Sequence, residues 1–252
     1  MSTEEGVGGA EINNIYLEQM GTMTWLNSGG KLVRQLLLIQ PDPYGYDIND
    51  VIQLADGGFM VVGAEDPDGW GSASDPDLWV VKMSKAGKLM SQISYDCGGD
   101  EDGYVLAPGS DGSLVLGGTT RRKGSEEDIL LLSRKGETVS WARTFGGKKT
   151  EYLSGQVGFS TVGELTFMGS TYSFGARKAM ALHADTGGNS CPSFMHTVKV
   201  TSRVRATPMV VAGKSTARQC AAAYQGAVTQ ATVADISLPQ SALCQSLDNP
   251  EP

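Results

Sequence analysis

The sequence predicts an all-β chain made of repeated four-stranded antiparallel sheets. Three observations predict it: abundant glycine, phrases that recur about every 50 residues, and short apolar runs bounded by tight-turn dipeptides. Of the 252 residues 33 are glycine, roughly 13% against a usual figure near 7%. Glycine costs about 1 kcal/mol in a helix interior, so such a chain turns often and does not build a helical bundle. Hydrophobic residues at 40% and charged residues at 19% belong to a chain that buries a core. The formal charge of -8 argues against nucleic acid as the main partner, because phosphate binding depends on clustered Lys and Arg.

The repeat can be read directly. D-G-G-F-M-V-V-G from Asp56 returns as D-G-S-L-V-L-G-G from Asp111, as V-G-E-L-T-F-M-G from Val162, and faintly as T-P-M-V-V-A-G from Thr207. A second phrase keeps the same phase: D-L-W-V-V-K-M-S-K-A-G-K from Asp77, D-I-L-L-L-S-R-K-G-E from Asp128 and K-A-M-A-L-H-A-D-T-G-G from Lys178, with T-W-L-N-S-G-G-K ending at Lys31 as its N-terminal echo. Glycine pairs at 98–99 and 146–147 form a third, and E-I-N-N-I-Y-L from Glu11 matches D-I-N-D-V-I-Q-L from Asp47. Each unit therefore reads as four short strands, for example Val51 to Leu54, Phe59 to Ala64, Leu78 to Met83 and Leu89 to Tyr95. Asp56-Gly57-Gly58 and Asp111-Gly112 supply the positive φ that tight hairpins need. Runs such as V-V-G and L-L-L suit strands covered on both faces by neighbouring sheets. Repeated four-stranded sheets that cannot bury their faces alone are the signature of a β-propeller.

The combination D-x-W-V-V-K-x-x-x-x-G-K, glycine pair, then D-G-G-F-x-V-x-G resembles the β-propeller repeats of many bacterial and archaeal surface or exported proteins, from Gly8 to Ser190. A-L-H-A-D-T-G-G, Ala181 to Gly188, is similar to a phrase of quinoprotein-type propellers. The resemblance implies an exported or cell-surface protein, although the start M-S-T-E-E-G has neither the basic nor the apolar region of a secretion signal. The expected organisation is a single propeller over 8–247 between short tails at 1–7 and 248–252. Five blades are expected, near 8–44, 45–97, 98–145, 146–190 and 191–247, the first truncated. Sharing one blade between the two termini would instead make four. No apolar run approaches the roughly 20 residues that cross a bilayer.

Motifs for chemistry are sparse. Gly213-Lys214-Ser215-Thr216 ends like a phosphate loop but has Pro208 where the first glycine belongs. His183 and His196 lie on different segments, and each reads as a surface or turn histidine. The four cysteines form no C-x-x-C pair, which removes zinc-ribbon and thioredoxin-like readings. Cys97 stands where Phe145 precedes the next glycine pair and reads as a small buried apolar residue; Cys191, Cys220 and Cys244 leave room for one disulfide.

Acidic turns offer candidate calcium ligands, Asp66, Asp68, Asp100 and Asp102, without completing a calcium loop; no other cofactor is expected. Trp25 and Trp79 fall inside strand phrases and read as packing residues, whereas Trp70, in D-G-W-G-S, is the candidate contact aromatic. Lys199, Arg203 and Arg205 share strand parity and make one basic face, either a docking surface or charges that discourage edge pairing. The reading that follows is a non-catalytic binding or scaffolding module for another protein or a surface polymer such as a glycan, as an accessory subunit of a larger assembly. The alternative is a glycan hydrolase or lyase that uses acids near the central channel.

Overall fold

The computed structural model describes residues 21–26, 32–39, 46–65, 75–122, 126–204 and 210–213. Among them the chain is all-β, with every strand pair antiparallel. The first sheet begins with β1 (Gly21–Leu26) and β2 (Leu32–Ile39). The second contains β3 (Tyr46–Gln53), β4 (Phe59–Glu65), β5 (Asp77–Met83) and β6 (Leu89–Asp96). The third repeats this with β7 (Asp100–Pro108), β8 (Ser113–Arg121), β9 (Glu127–Lys135) and β10 (Thr138–Phe145). The fourth holds β11 (Glu151–Phe159), β12 (Leu165–Thr171) and β13 (Lys178–Ala184).

The segment after residue 190 departs from expectation. Its described strands, β14 (Met195–Thr197), β15 (Thr201–Val204) and β16 (Val210–Gly213), make no sheet of their own. They pair in turn with β10, β6 and β2, so the chain runs back over the outer edges of the third, second and first sheets. The edge amides and carbonyls of those strands are satisfied from within the chain, which removes a template for pairing with other molecules.

The glycine phrase has a steric cause. A Cβ on Gly118 would overlap the carbonyl oxygen of Asp102 on the adjacent strand, and the same holds for Gly63 against Asp47 and Gly169 against Tyr152. Next to each contact the pairing shifts register: between Ile48 and Asp50, Gly103 and Val105, and Leu153 and Val157. The turn that opens each phrase also needs glycine, with φ of 80° at Gly57, 81° at Gly112 and 85° at Gly163.

Two apolar clusters fill the spaces between described sheets, and a third covers one face of the second. Met60, Val62, Leu78 and Val80 meet Leu116 and Leu130 between the second and third sheets. Val105, Val115, Ile129 and Leu131 meet Phe167 and Leu182 between the third and fourth. Val61, Trp79, Val81 and Met83 form a cluster on the opposite face of the second. Consecutive residues point to opposite faces of a strand, so a strand covered on both sides must be apolar throughout. That accounts for V-V-G and L-L-L, and for Trp79 at 1% exposure.

The fourth sheet alternates instead. Leu165, Phe167, Met180 and Leu182 point inward, while Thr166, Met168, Ala179 and Ala181 are exposed. Pairing registers make these four the counterparts of Met60, Val62, Leu78 and Val80. Three of the four have become smaller or more polar, as befits the solvated end of a stack. Among the described residues no helix is long and apolar enough to cross a membrane.

Candidate functional site

The hairpin turns gather at one end of the sheets, because β3 to β4, β5 to β6 and their repeats all reverse direction there. Three of the turns are braced by an aspartate, and the hydroxyls of Ser84 and Ser160 brace two others. Asp56 Oδ1 accepts from Gly58 N at 2.9 Å, Asp111 Oδ1 from Ser113 N at 3.0 Å, and Asp185 Oδ1 from Gly187 N at 2.8 Å. Hydrogen bonds from the Ser113 hydroxyl and N–H, helped by Lys135, hold the Asp111 carboxyl down to about 2. These acids fix a loop conformation before any ligand arrives.

Two clefts open on this rim, on either side of the hairpin Gly109–Ser113. One, of about 310 Å³, lies between the third and fourth sheets and is lined by Ser110, Asp111, Ser133, Trp141, Phe159 and Thr161. The other, of about 400 Å³, lies between the second and third and is lined by Leu54, Met60, Lys82, Arg134 and Glu137. Gly109 and Ser113 border both. The half-buried Trp141 follows a register shift in β10, and its indole N–H donates to the Thr186 carbonyl at 3.1 Å. Its ring lies on Gly188, where a Cβ would come within 2.8 Å of the ring carbons.

At the opposite end the second–third and third–fourth sheet junctions each carry a buried glutamate. Glu101 accepts from Cys97 N at 2.9 Å and from the Thr120 hydroxyl at 2.7 Å. Glu151 repeats this with Gly147 N at 2.9 Å and Thr171 at 2.5 Å. The side chain ties the loop between sheets to the second strand of its own sheet, and both glutamates are wholly buried. Carboxylate oxygens of Asp77, Asp96 and Glu101 lie within 4.8 Å of one another. Burial is the main force raising the Glu101 carboxyl to about 7, against its two hydrogen bonds, with Asp77 and Asp96 adding to the rise. Burial and then Glu151 raise Asp128, the counterpart of Asp77, to about 6, while His196 and Arg122 pull it back.

The return strands bring a basic residue to each junction. Arg203 on β15 places its guanidinium nitrogens 3.5 Å from Asp96 Oδ2 and 4.0 Å from Asp77 Oδ2. His196 on β14 pairs with Thr144 in register and acts on Asp128.

These contacts redistribute the sequence candidates. Arg203 is engaged with its own chain, Lys199 lies exposed ahead of β15, and Arg205 lies outside the described residues, as do Trp70, Asp66 and Asp68. Asp100 and Asp102 alternate along β7. Burial and a hydrogen bond in which protonated Asp100 donates to Asp75 raise Asp100, with Arg121 opposing at 3.9 Å; burial raises Asp102, with the Tyr104 hydroxyl opposing. The carboxylate group that converges is a different one, Asp77, Asp96 and Glu101. It escapes sequence reading because its members lie on β5, β6 and β7, and the only cue is Glu at equivalent places in two repeats.

Cys97 is buried, and burial raises its thiol, followed by the nearby Glu101, Asp96 and Asp77 charges. Cys191 is disulfide-bonded; Cys220 and Cys244 lie outside the described residues. His183 is exposed on β13 and faces Glu164 Oε2 at 3.1 Å. Trp141 carries no motif that would single it out, and Gly188 in D-T-G-G is the one signal near it.

Among the described residues the fold and the rim define the class as an all-β chain of antiparallel sheets with two clefts on its hairpin end. Compared with known proteins, the sequence matches no family model and no curated protein.

Proposed function

We propose that the chain is a non-catalytic binding or scaffolding module whose sheets are propeller-type blades, and that its hairpin rim recognises another protein or a surface polymer, as an accessory part of a larger assembly. One observation carries the reading: two clefts flank a single self-braced hairpin on one rim. A site whose loops are already held by Asp111 and its counterparts pays little ordering cost on binding, so modest contacts suffice for affinity. The test is capture from the native source with the purified chain against a rim variant, Ser110→Arg combined with Thr161→Arg. A stoichiometric partner held by the wild type and lost by the variant supports the reading. Equal capture by both, or none by either, overturns it.

A second reading, a glycan hydrolase or lyase, draws on Asp100, whose carboxyl is raised by burial and by the Asp75 hydrogen bond, as paired carboxyls in acid–base catalysis are. Polysaccharide cleavage abolished by Asp100→Asn supports it; inactivity across a substrate panel removes it.

A further inference from the structure

We infer that the cleft between the third and fourth sheets is a binding subsite for a neutral sugar unit, and that a glycan chain extends from it across the Gly109–Ser113 hairpin into the second cleft. The inference rests on the rim being the binding face, and it assigns that face a ligand class. A pyranose presents a flat face of C–H groups and an edge of hydroxyls, so its site needs an aromatic plate beside polar groups.

Trp141 supplies the plate. The Thr186 carbonyl anchors its edge at 3.1 Å, and bare backbone at Gly188 supports its ring. With φ at 74°, Gly188 also disfavours any side chain that would displace the ring. The aromatic is therefore oriented before a ligand arrives. Around it stand the exposed hydroxyls of Ser110 and Thr161, with the buried Ser133 beneath the ring, to meet a ligand's hydroxyls.

Charge narrows the class. The one ionised group lining this cleft is Asp111, held down to about 2 and so anionic at any ordinary pH. Paired with Lys135 Nζ at 3.5 Å, it still accepts from sugar hydroxyls; in the second cleft Lys82 is paired with Asp56 at 3.9 Å and Arg134 is buried, so neither cleft presents an unpaired exposed cation to attract a carboxylated or phosphorylated sugar. The second cleft shares Gly109 and Ser113 with the first, so a polymer leaving one subsite enters the other without crossing a gap.

The test titrates the full chain with neutral oligosaccharides of at least four units, glucan, mannan and galactan types, and with an oligogalacturonate. Binding is read by calorimetry and by the NMR signal of the Trp141 indole N–H, assigned with Trp141→Phe. The expected result is binding of a neutral oligosaccharide that shifts this signal, weakened at least tenfold by Trp141→Ala and by Thr161→Trp, which fills the cleft from the exposed turn of the facing sheet. Binding of the oligogalacturonate should be at least tenfold weaker. Circular dichroism of each variant checks that its fold is retained. A protein partner captured through the rim with no sugar shifting the Trp141 signal overturns this inference and leaves the proposed function standing; no binding of either kind removes both. Sugar binding that ignores both substitutions overturns the placement and with it the inference.

Discussion

Replacing Glu101 with glutamine should raise stability at pH 8 and leave it nearly unchanged at pH 5. The amide keeps both hydrogen bonds, since its oxygen accepts from Cys97 N and its nitrogen donates to the Thr120 hydroxyl, 2.9 and 2.7 Å from the carboxylate oxygens at present. What it removes is the charge. The folded-state carboxyl lies near 7 against an ordinary 4.5, so between those values the native state holds a proton that the unfolded chain has released. Stability therefore falls as pH rises through that window and stays lower above it. At about 1.36 kcal/mol per pH unit the full effect is roughly 3 kcal/mol, an upper figure that relaxation around the junction reduces. Glu101→Gln should recover about 1–3 kcal/mol at pH 8, or several degrees in Tm for a domain of this size. Denaturant melts of both proteins at pH 5 and pH 8 measure it. A variant no more stable than wild type at pH 8, or one whose advantage is the same at both values, would refute the reasoning.

The neighbouring junction gives a weaker version of the same effect. Asp128→Asn should flatten the fall in stability between about pH 4 and 6, by less than Glu101→Gln because the site is partly open to solvent; a melt series across that range checks it. Gly118→Ala should cost more than any exposed substitution, about 3 kcal/mol or more, because its Cβ would overlap the Asp102 carbonyl and force β7 out of register. Loss of soluble folded protein, or a large drop in the denaturation midpoint, is the expected readout. Arg203→Gln should cost only about 1 kcal/mol globally, the guanidinium being half exposed and its nearer partner Asp96 a third exposed, yet speed amide exchange at Thr201–Val204. Unchanged exchange there would show that the strand is held by backbone pairing alone.

Much of the architecture lies in local chemistry and is legible from residues close together in the chain. Asp-Gly at 56–57 and 111–112 demands a positive-φ turn. A glycine seven residues after the aspartate, Gly63 or Gly118, permits a close strand approach. Apolar runs such as Leu130 to Leu132 demand cover on both faces. These are short-range requirements, so the strands of the second and third sheets fall where the repeat places them.

The route of the chain after residue 190 was decided by tertiary structure. β14 and β15 are three and four residues long, too short for a periodic signal, and their partners lie at least 50 and 100 residues earlier in the chain. Lys199 and Arg203 look equivalent by strand parity, yet only Arg203 finds acids, Asp77 and Asp96, because those acids are brought to that edge by folding. Trp141 likewise becomes a candidate only when Thr186 and Gly188 arrive from over 40 residues away. Repeat, turn and two-sided burial are properties of neighbouring residues and are written in the sequence. Which edge a late strand covers, which carboxyls share a junction and which aromatic floors a cleft depend on contacts between distant segments, and only the folded chain brings these together.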